Sequence, residues 1–268
     1  MLVILGAGYA GRFIYIQAIR NGVSVSVTSR TPEAHLDFAA PSHRLQFDLD
    51  REDTWRNIPA DADLIWCFPA VSQKAVSAFA GTALGNARRI AVLGSTSAYK
   101  LPGTDPDSIL DESASIDTTR ARVVGEEHLR THAHAIVLRV AGIYGPGRSV
   151  LDWIRRGKVG PSQRYVNLIH VEDLAAICLL AIEKGQPGKA YNVSDGRPRR
   201  WSEICEEAQK RWGIVPLKDD LDQRPGKRLS IDNMTRDLRY RFQYPDLYQA
   251  LETLESSTSS RPSASPTV

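Results

Sequence analysis

An α/β fold, a doubly wound parallel sheet with a small second lobe, is predicted by three observations. Short apolar runs that read as buried strands alternate with helical segments along most of the chain. The first run, Met1-Leu-Val-Ile-Leu5, passes directly into Gly6-Ala7-Gly8-Tyr9-Ala10-Gly11, a G-x-G-x-x-G spacing at a strand-to-helix turn. Beyond the last strand the chain turns polar, with aromatic anchors at Tyr240, Phe242, Tyr244 and Tyr248 that suit a small lobe rather than the sheet.

The glycine spacing is that of a Rossmann-type dinucleotide site. Gly6 permits a tight turn, Gly8 lets a pyrophosphate approach the backbone, and Gly11 lets the helix lie close on the strand. The helix N-terminus, with Tyr9 and Ala10 in its first turn, adds free N–H groups and a positive dipole end. That helix is expected over Tyr9 to Arg20 with Phe13, Ile16 and Ile19 inward, and Asn21-Gly22 ends it. Val23 to Thr28 alternates as a strand. At its end, where an acidic residue commonly holds the NAD ribose, the chain has Ser29-Arg30-Thr31. A guanidinium and a hydroxyl there hydrogen-bond a 2′-phosphate, so NADP(H) is expected over NAD(H), with a solvated Arg30 as the alternative.

His43 to Phe47 reads as a third strand closed by Asp48, which either lies at the adenine end of the site or caps a turn. Asp63 to Cys67 is a fourth strand, and Phe68-Pro69 at its carboxyl end faces the cofactor crevice. A helix over Ser72 to Gly85 precedes a fifth strand, Arg89 to Leu93. It delivers Ser95, Thr96 and Tyr99 to the same rim, where hydroxyls either polarise a carbonyl or cap a turn. A polar loop is expected over Pro102 to Ser115 and a helix over Asp117 to Thr131, with Val123, Val124 and Leu129 inward. Ala135 to Val140 is a sixth strand, leading to Tyr144 on a loop rich in glycine and proline. Val171 to Lys184 is helical, Ala190 to Val193 a late strand, and Trp201 to Trp212 a helix stopped by Gly213.

Composition excludes several classes. The net charge of +3 is too small and too evenly spread for a nucleic acid or an anionic membrane surface. No run reaches the roughly 18 apolar residues of a membrane helix, and nothing resembles a signal peptide, so a soluble cytoplasmic protein is expected. Cys67, Cys178 and Cys205 have no metal spacing, and His128, His132 and His134 lack clustered acids or cysteines; no metal is expected. Arg148, Arg155, Arg156, Lys158 and Arg164 form a basic segment that either meets an anionic substrate or cofactor phosphates, or is solvated.

The chain to about Leu254 resembles the extended short-chain dehydrogenase/reductase superfamily. More closely it looks like an atypical branch, the NAD-dependent epimerase/dehydratase-like proteins of the YeeZ type. The motifs that carry the likeness are G-A-G-Y-A-G at Gly6, S-T-S-A-Y at Ser95 to Tyr99, D-E-S at Asp111 to Ser113 and L-R-V-A-G-I-Y-G-P-G at Leu138 to Gly147. N-L-I-H-V-E-D-L-A at Asn167 to Ala175 and Y-N-V-S-D at Tyr191 to Asp195 follow in the same order. The resemblance implies about seven parallel strands, a nicotinamide cofactor, and a substrate held between sheet and lobe. The main domain is then expected over 1–147 and 165–193, the lobe over 148–164 and 194–255, and a disordered tail over 256–268.

The same resemblance implies a Tyr-x-x-x-Lys pair in the long helix, and here the chain departs from the pattern. Thr118 stands at the Tyr place and Arg122 at the Lys place. A threonine hydroxyl is a poor acid, and an arginine holds ribose or phosphate but does not shuttle protons. Ser95 or Thr96 then orients the substrate oxygen, while Tyr99 or Tyr144 is the expected proton carrier. His170 matches a structural residue at a helix start. The expected function is NADP(H)-dependent oxidation or reduction of a carbonyl or secondary alcohol on a small polar metabolite. The alternatives are a sugar-nucleotide-type epimerase/dehydratase with tightly held cofactor and a non-catalytic NADP-binding sensor or assembly protein. Homodimer formation through main-domain helices is compatible with each.

Overall fold

The computed structural model describes residues 1–82, 84–101, 108–217 and 226–259, with side chains in the last helix described as far as Ser257. In chain order its strands are β1 (Leu2–Leu5), β2 (Val25–Ser29), β3 (Arg44–Gln46), β4 (Asp63–Trp66), β5 (Arg89–Ser95), β6 (Ile109–Leu110) and β7 (Ile136–Val140). They continue with β8 (Gly142–Tyr144), β9 (Tyr165–Val166), β10 (Leu168–His170), β11 (Ala190–Val193), β12 (Arg199–Arg200) and β13 (Arg228–Leu229). Seven of these form one parallel sheet in the order β11-β7-β5-β4-β1-β2-β3. The other six pair in twos, β8 with β10 and β6 with β13 in parallel, β9 with β12 antiparallel.

The sheet is covered on both faces, which is why its strands read as nearly unbroken apolar runs. Side chains alternate between the faces along each strand. On one face Ile4, Val27 and Ile65 pack with Ile14 and Ala18 of α1 (Tyr9–Arg20) and Leu174 and Ala181 of α6 (Val171–Lys184). On the other, Val3, Leu5, Leu64, Trp66 and Val92 meet Val76 and Phe79 of α3 (Gln73–Thr82) and Leu129 of α4 (Ala121–His132). The short α2 (Pro32–His35) follows β2.

Strand order reverses at β1. The chain moves outward through β2 and β3, then crosses back to lay β4 on the other flank, where Ile4 of β1 sits between Val27 and Ile65. A crevice opens outside the carboxyl ends of strands at such a point. A third cluster forms the small lobe. There Tyr144 and Leu168 pack with α5 (Val150–Arg155), α7 (Trp201–Trp212) and α9 (Leu247–Ser259), while α8 (Asp232–Leu238) packs onto β11 and α6.

Four expectations are corrected here. The buried face of α1 is Ile14, Tyr15 and Ala18; Phe13 and Ile16 pack half-buried against the same core, and Ile19 is exposed. Helix α4 starts at Ala121 rather than Asp117, because the Asp117 carboxylate accepts bonds from the Thr119 N–H and hydroxyl and from Arg120, closing a turn ahead of the helix. Val124 faces solvent, and Val123, Gly125, Glu126 and Leu129 face inward. Helix α9 continues past Ser256 to Ser259, into the stretch expected to be disordered. Residues 260–268 of that stretch, and 102–107 of the polar loop, lie outside the described residues. Among the described residues no helix is long and apolar enough to cross a membrane.

Candidate active site

The three glycines of the first turn answer to separate constraints. Gly6 has φ +93°, a region L side chains rarely adopt, and its N–H donates to Thr28 Oγ1 (3.0 Å), tying the loop to β2. A Cβ at Gly11 would stand 2.2 Å from the Gly6 carbonyl oxygen, so α1 lies on the turn only because that Cβ is missing. At Gly8 a Cβ would meet nothing within 4 Å: the space in front of it is open. Gly8 also caps α1 with no side-chain bond, leaving first-turn N–H groups to an anion. A dinucleotide's diphosphate fits this cradle.

Two cavities flank the turn and share Phe68 and Pro69. The first, about 500 Å³, is lined by Gly6, Gly8, Ser29, Arg30, Asp48 and Asp50 among others. The second, about 370 Å³, is lined by Tyr9, Ala10, Cys67, Gly94, Ser95, Arg122 and Arg148, together with apolar residues from β5 and β7 to β8. Of the residues read from the sequence, Gly6, Gly8, Tyr9, Ala10, Ser29, Arg30, Asp48, Phe68, Pro69, Ser95 and Arg122 therefore line two neighbouring cavities that have Phe68 and Pro69 as a common wall, with Gly11 buried in α1.

Within the second cavity, Ser95 Oγ accepts from the Ser97 N–H (3.1 Å), so this hydroxyl both caps a 3₁₀ turn and faces the crevice. Arg122 is held by its Nε, which donates to Glu126 Oε1 (2.9 Å). Glu126 is buried, and it fits because Gly94 lacks a side chain: a Cβ there would lie 2.6 Å from Glu126 Oε2. Burial raises the Glu126 carboxyl above its ordinary value, while Arg122 and Arg139 pull the other way. The Tyr9 phenol donates to the Pro146 carbonyl (3.1 Å) and lies beneath the Arg148 guanidinium, 5.6 Å from the ring centre. Its burial pushes the phenol up to about 12.

The remaining expected residues are elsewhere. Tyr99 is 2% exposed, its hydroxyl donates to Asn192 Oδ1 (2.5 Å), and Arg139 covers its ring at 4.8 Å. Tyr144 is fully buried in the lobe cluster, packed edge-on against His170, with no hydrogen-bond partner for its hydroxyl among the described residues. Burial raises both phenols. Neither reaches the crevice, and the expectation that one of them carries the proton is corrected on that ground. Thr118 is exposed in the turn before α4 and lines neither cavity. Thr96 is half-buried and also outside both, its carbonyl accepting from Lys227 Nζ (3.2 Å).

His170 caps α6: its Nδ1 accepts from the Glu172 N–H (3.3 Å), and its ring stacks on Tyr244 at 3.6 Å. Asp173 does not cap that helix but accepts from Tyr240 and from the Gln243 and Tyr244 N–H groups, holding the lobe to α6. The basic segment divides. Arg155 pairs with Asp152 and Glu255, whereas Arg148, Arg156 and Lys158 line a further cavity of about 390 Å³ next to the second one. Sequence reasoning missed Cys67, Glu126 and the direction of Arg148. For Glu126 the available signal was its i, i+4 spacing from Arg122. Among the described residues there is no group of three or more His, Cys, Asp or Glu able to hold a metal.

No protein-family model matches the chain. It is 30% identical over 114 residues to Protein YeeZ of Escherichia coli (strain K12), a stretch that covers 41% of this chain and 41% of that relative. The match thus spans about two-fifths of the relative's length. A functionally unknown conserved protein from Silicibacter pomeroyi DSS shares the fold with TM-score 0.74 at 24% identity, over 96% of this chain and 98% of that one. MoeE5, solved with UDP-glucose and NAD, shares it with TM-score 0.73 at 16% identity, over 96% and 99%. These likenesses establish the fold: a parallel seven-stranded Rossmann-type sheet with a small C-terminal helical lobe.

They also correct the expected NADP preference. Solved proteins of this fold, MoeE5 and the dTDP-glucose 4,6-dehydratase of Bacillus anthracis among them, hold NAD. The physical reason lies in the first cavity. Arg30 is exposed on its rim, and the same cavity is lined by Asp48 and Asp50, whose carboxylates repel a 2′-phosphate.

Proposed function

We propose that this chain is an NAD-dependent enzyme of the epimerase/dehydratase type, acting on a small, hydroxyl-rich metabolite while keeping its cofactor tightly held. The observation that carries this reading is the pair of cavities that meet at Phe68-Pro69: a diphosphate cradle and a carboxylate-bearing cavity on one side, a hydroxyl- and guanidinium-bearing cavity on the other. The UDP-glucose and NAD of MoeE5 support the same substrate class.

Bound in this crevice, NAD would supply reversible hydride acceptance, and the chain's own residues would hold and orient it and the substrate. Gly6, Gly8 and the start of α1 hold the diphosphate, and Asp48 accepts from the adenosine ribose hydroxyls. Ser95 orients the substrate oxygen. Tyr9, the phenol lining the second cavity, is the candidate proton carrier, a role that requires its hydroxyl to leave the Pro146 carbonyl, and Arg122 would hold polar oxygens in place of the missing lysine. The absence of a phenol at position 118 favours a second reading, an NAD-binding sensor without turnover.

Incubating the NAD-loaded protein with UDP- and dTDP-hexoses separates these readings. Isomerised or dehydrated sugar with no net accumulation of reduced cofactor is the expected result, followed by NMR of the sugar and absorbance of the nicotinamide. Stoichiometric reduced cofactor would instead mark a net dehydrogenase. NAD binding with no conversion of any sugar would leave the sensor.

A further inference from the structure

The second cavity carries two guanidinium groups and, among its described lining residues, no carboxylate. Each is held by a contact that leaves its hydrogen-bonding edge free. Arg122 is fixed through Nε alone, and its two terminal nitrogens make no hydrogen bond or ion pair with the described residues. Its anchor Glu126 is 2% exposed and wedged against Gly94, so the guanidinium is oriented before any ligand arrives. Arg148 lies across the Tyr9 ring, whose hydroxyl is itself fixed on Pro146, and it has no acidic partner among the described residues. Glu126 offsets one positive charge, which leaves a net excess of one.

We propose that this cavity binds an anionic oxygen group, a carboxylate or phosphate, between Arg122 and Arg148. A guanidinium fork matches such groups with two parallel N–H···O bonds, and preorganised donors lose little freedom on binding. The anion has two sources. It belongs to the substrate, which makes the metabolite an acid or phosphate ester whose charged group lies close to the reacting carbon, or it belongs to the cofactor diphosphate. In its first form the inference deepens the proposed function and rests on it.

Orthophosphate titrated into the full chain by calorimetry, at fixed ionic strength, tests the site. Saturable binding is expected, weakened at least about tenfold in Arg148→Met, a change that removes the guanidinium and its contact with the Tyr9 ring and strands no buried charge. The double variant Arg122→Met/Glu126→Gln should show the same loss while keeping the buried carboxylate from standing unpaired. Repeating the titration with NAD already bound assigns the source: persisting phosphate binding identifies a substrate group, and competition identifies the cofactor diphosphate. Absent saturable binding, or equal binding in both variants, overturns the site. NAD titrated into the same samples keeps the two claims apart, since intact NAD binding beside absent phosphate binding sinks only this inference, and absent NAD binding sinks the proposed function.

Discussion

Gly8 and Gly11, three residues apart, fail in different ways when given a methyl group. At Gly11 the methyl collides with the Gly6 carbonyl, so Gly11→Ala should lower the melting temperature sharply. At Gly8 the methyl points into open space, so Gly8→Ala should melt like the parent yet bind NAD at least about tenfold more weakly. Thermal melts paired with cofactor titration check both. The buried tyrosines make a second contrast. Tyr99→Phe removes the bond to Asn192 and should cost about 0.5–1.5 kcal/mol in chemical denaturation. Tyr144→Phe removes a buried hydroxyl with no partner among the described residues, so it should be neutral or stabilising. Both should retain sugar conversion. Tyr9→Phe should abolish conversion and keep NAD binding, because the ring and its packing remain. The glycines were legible in the sequence because their roles are local. Tyr99 and Tyr144 were not: each follows a strand end that faces the crevice, but their direction depends on Arg139, Asn192 and His170, contributed by other strands.

At the scale of elements, the join between α6 and the lobe carries a pH dependence. His170 is buried between Tyr144 and Tyr244, and burial pushes its imidazole from 6.5 down to about 4, with Glu172 pulling the other way. A depressed folded-state pKa contributes stability that is complete above 6.5 and is lost as pH falls toward 4. The contribution is on the order of 3 kcal/mol. Glu126, Asp173 and Asp195 are raised by burial and act with the opposite sign near the acid end of this window. The His170 share is therefore the difference between parent and His170→Asn, which keeps a capping side chain. Denaturation midpoints of the two should converge as the pH drops from neutral toward 4, and a constant gap would contradict the assignment. Helices α1, α6 and α7 were readable to their ends from apolar spacing and stop signals. The start of α4 was not, since Asp117 chose its own turn over the helix.

Over the whole molecule, sheet and crevice were legible because parallel strands buried on both faces leave an unmistakable apolar run, and the order reversal beside β1 then fixes where a ligand sits. Cofactor choice was not legible in the same way. Arg30 follows β2, whereas the carboxylates that share its cavity follow β3, so one strand end read alone gives half of the field. The arginine-lined second cavity likewise draws Arg122 from α4 and Arg148 from the loop after β8, positions linked only by folding. The proposed chemistry requires NAD in the first cavity. Calorimetric titration of NADH and NADPH into the full chain and into Gly8→Ala measures this directly. NADH should bind at least about tenfold more tightly than NADPH, and Gly8→Ala should lose most of that affinity with its fold intact. Tighter NADPH binding, or NADH binding indifferent to the methyl at Gly8, would contradict it.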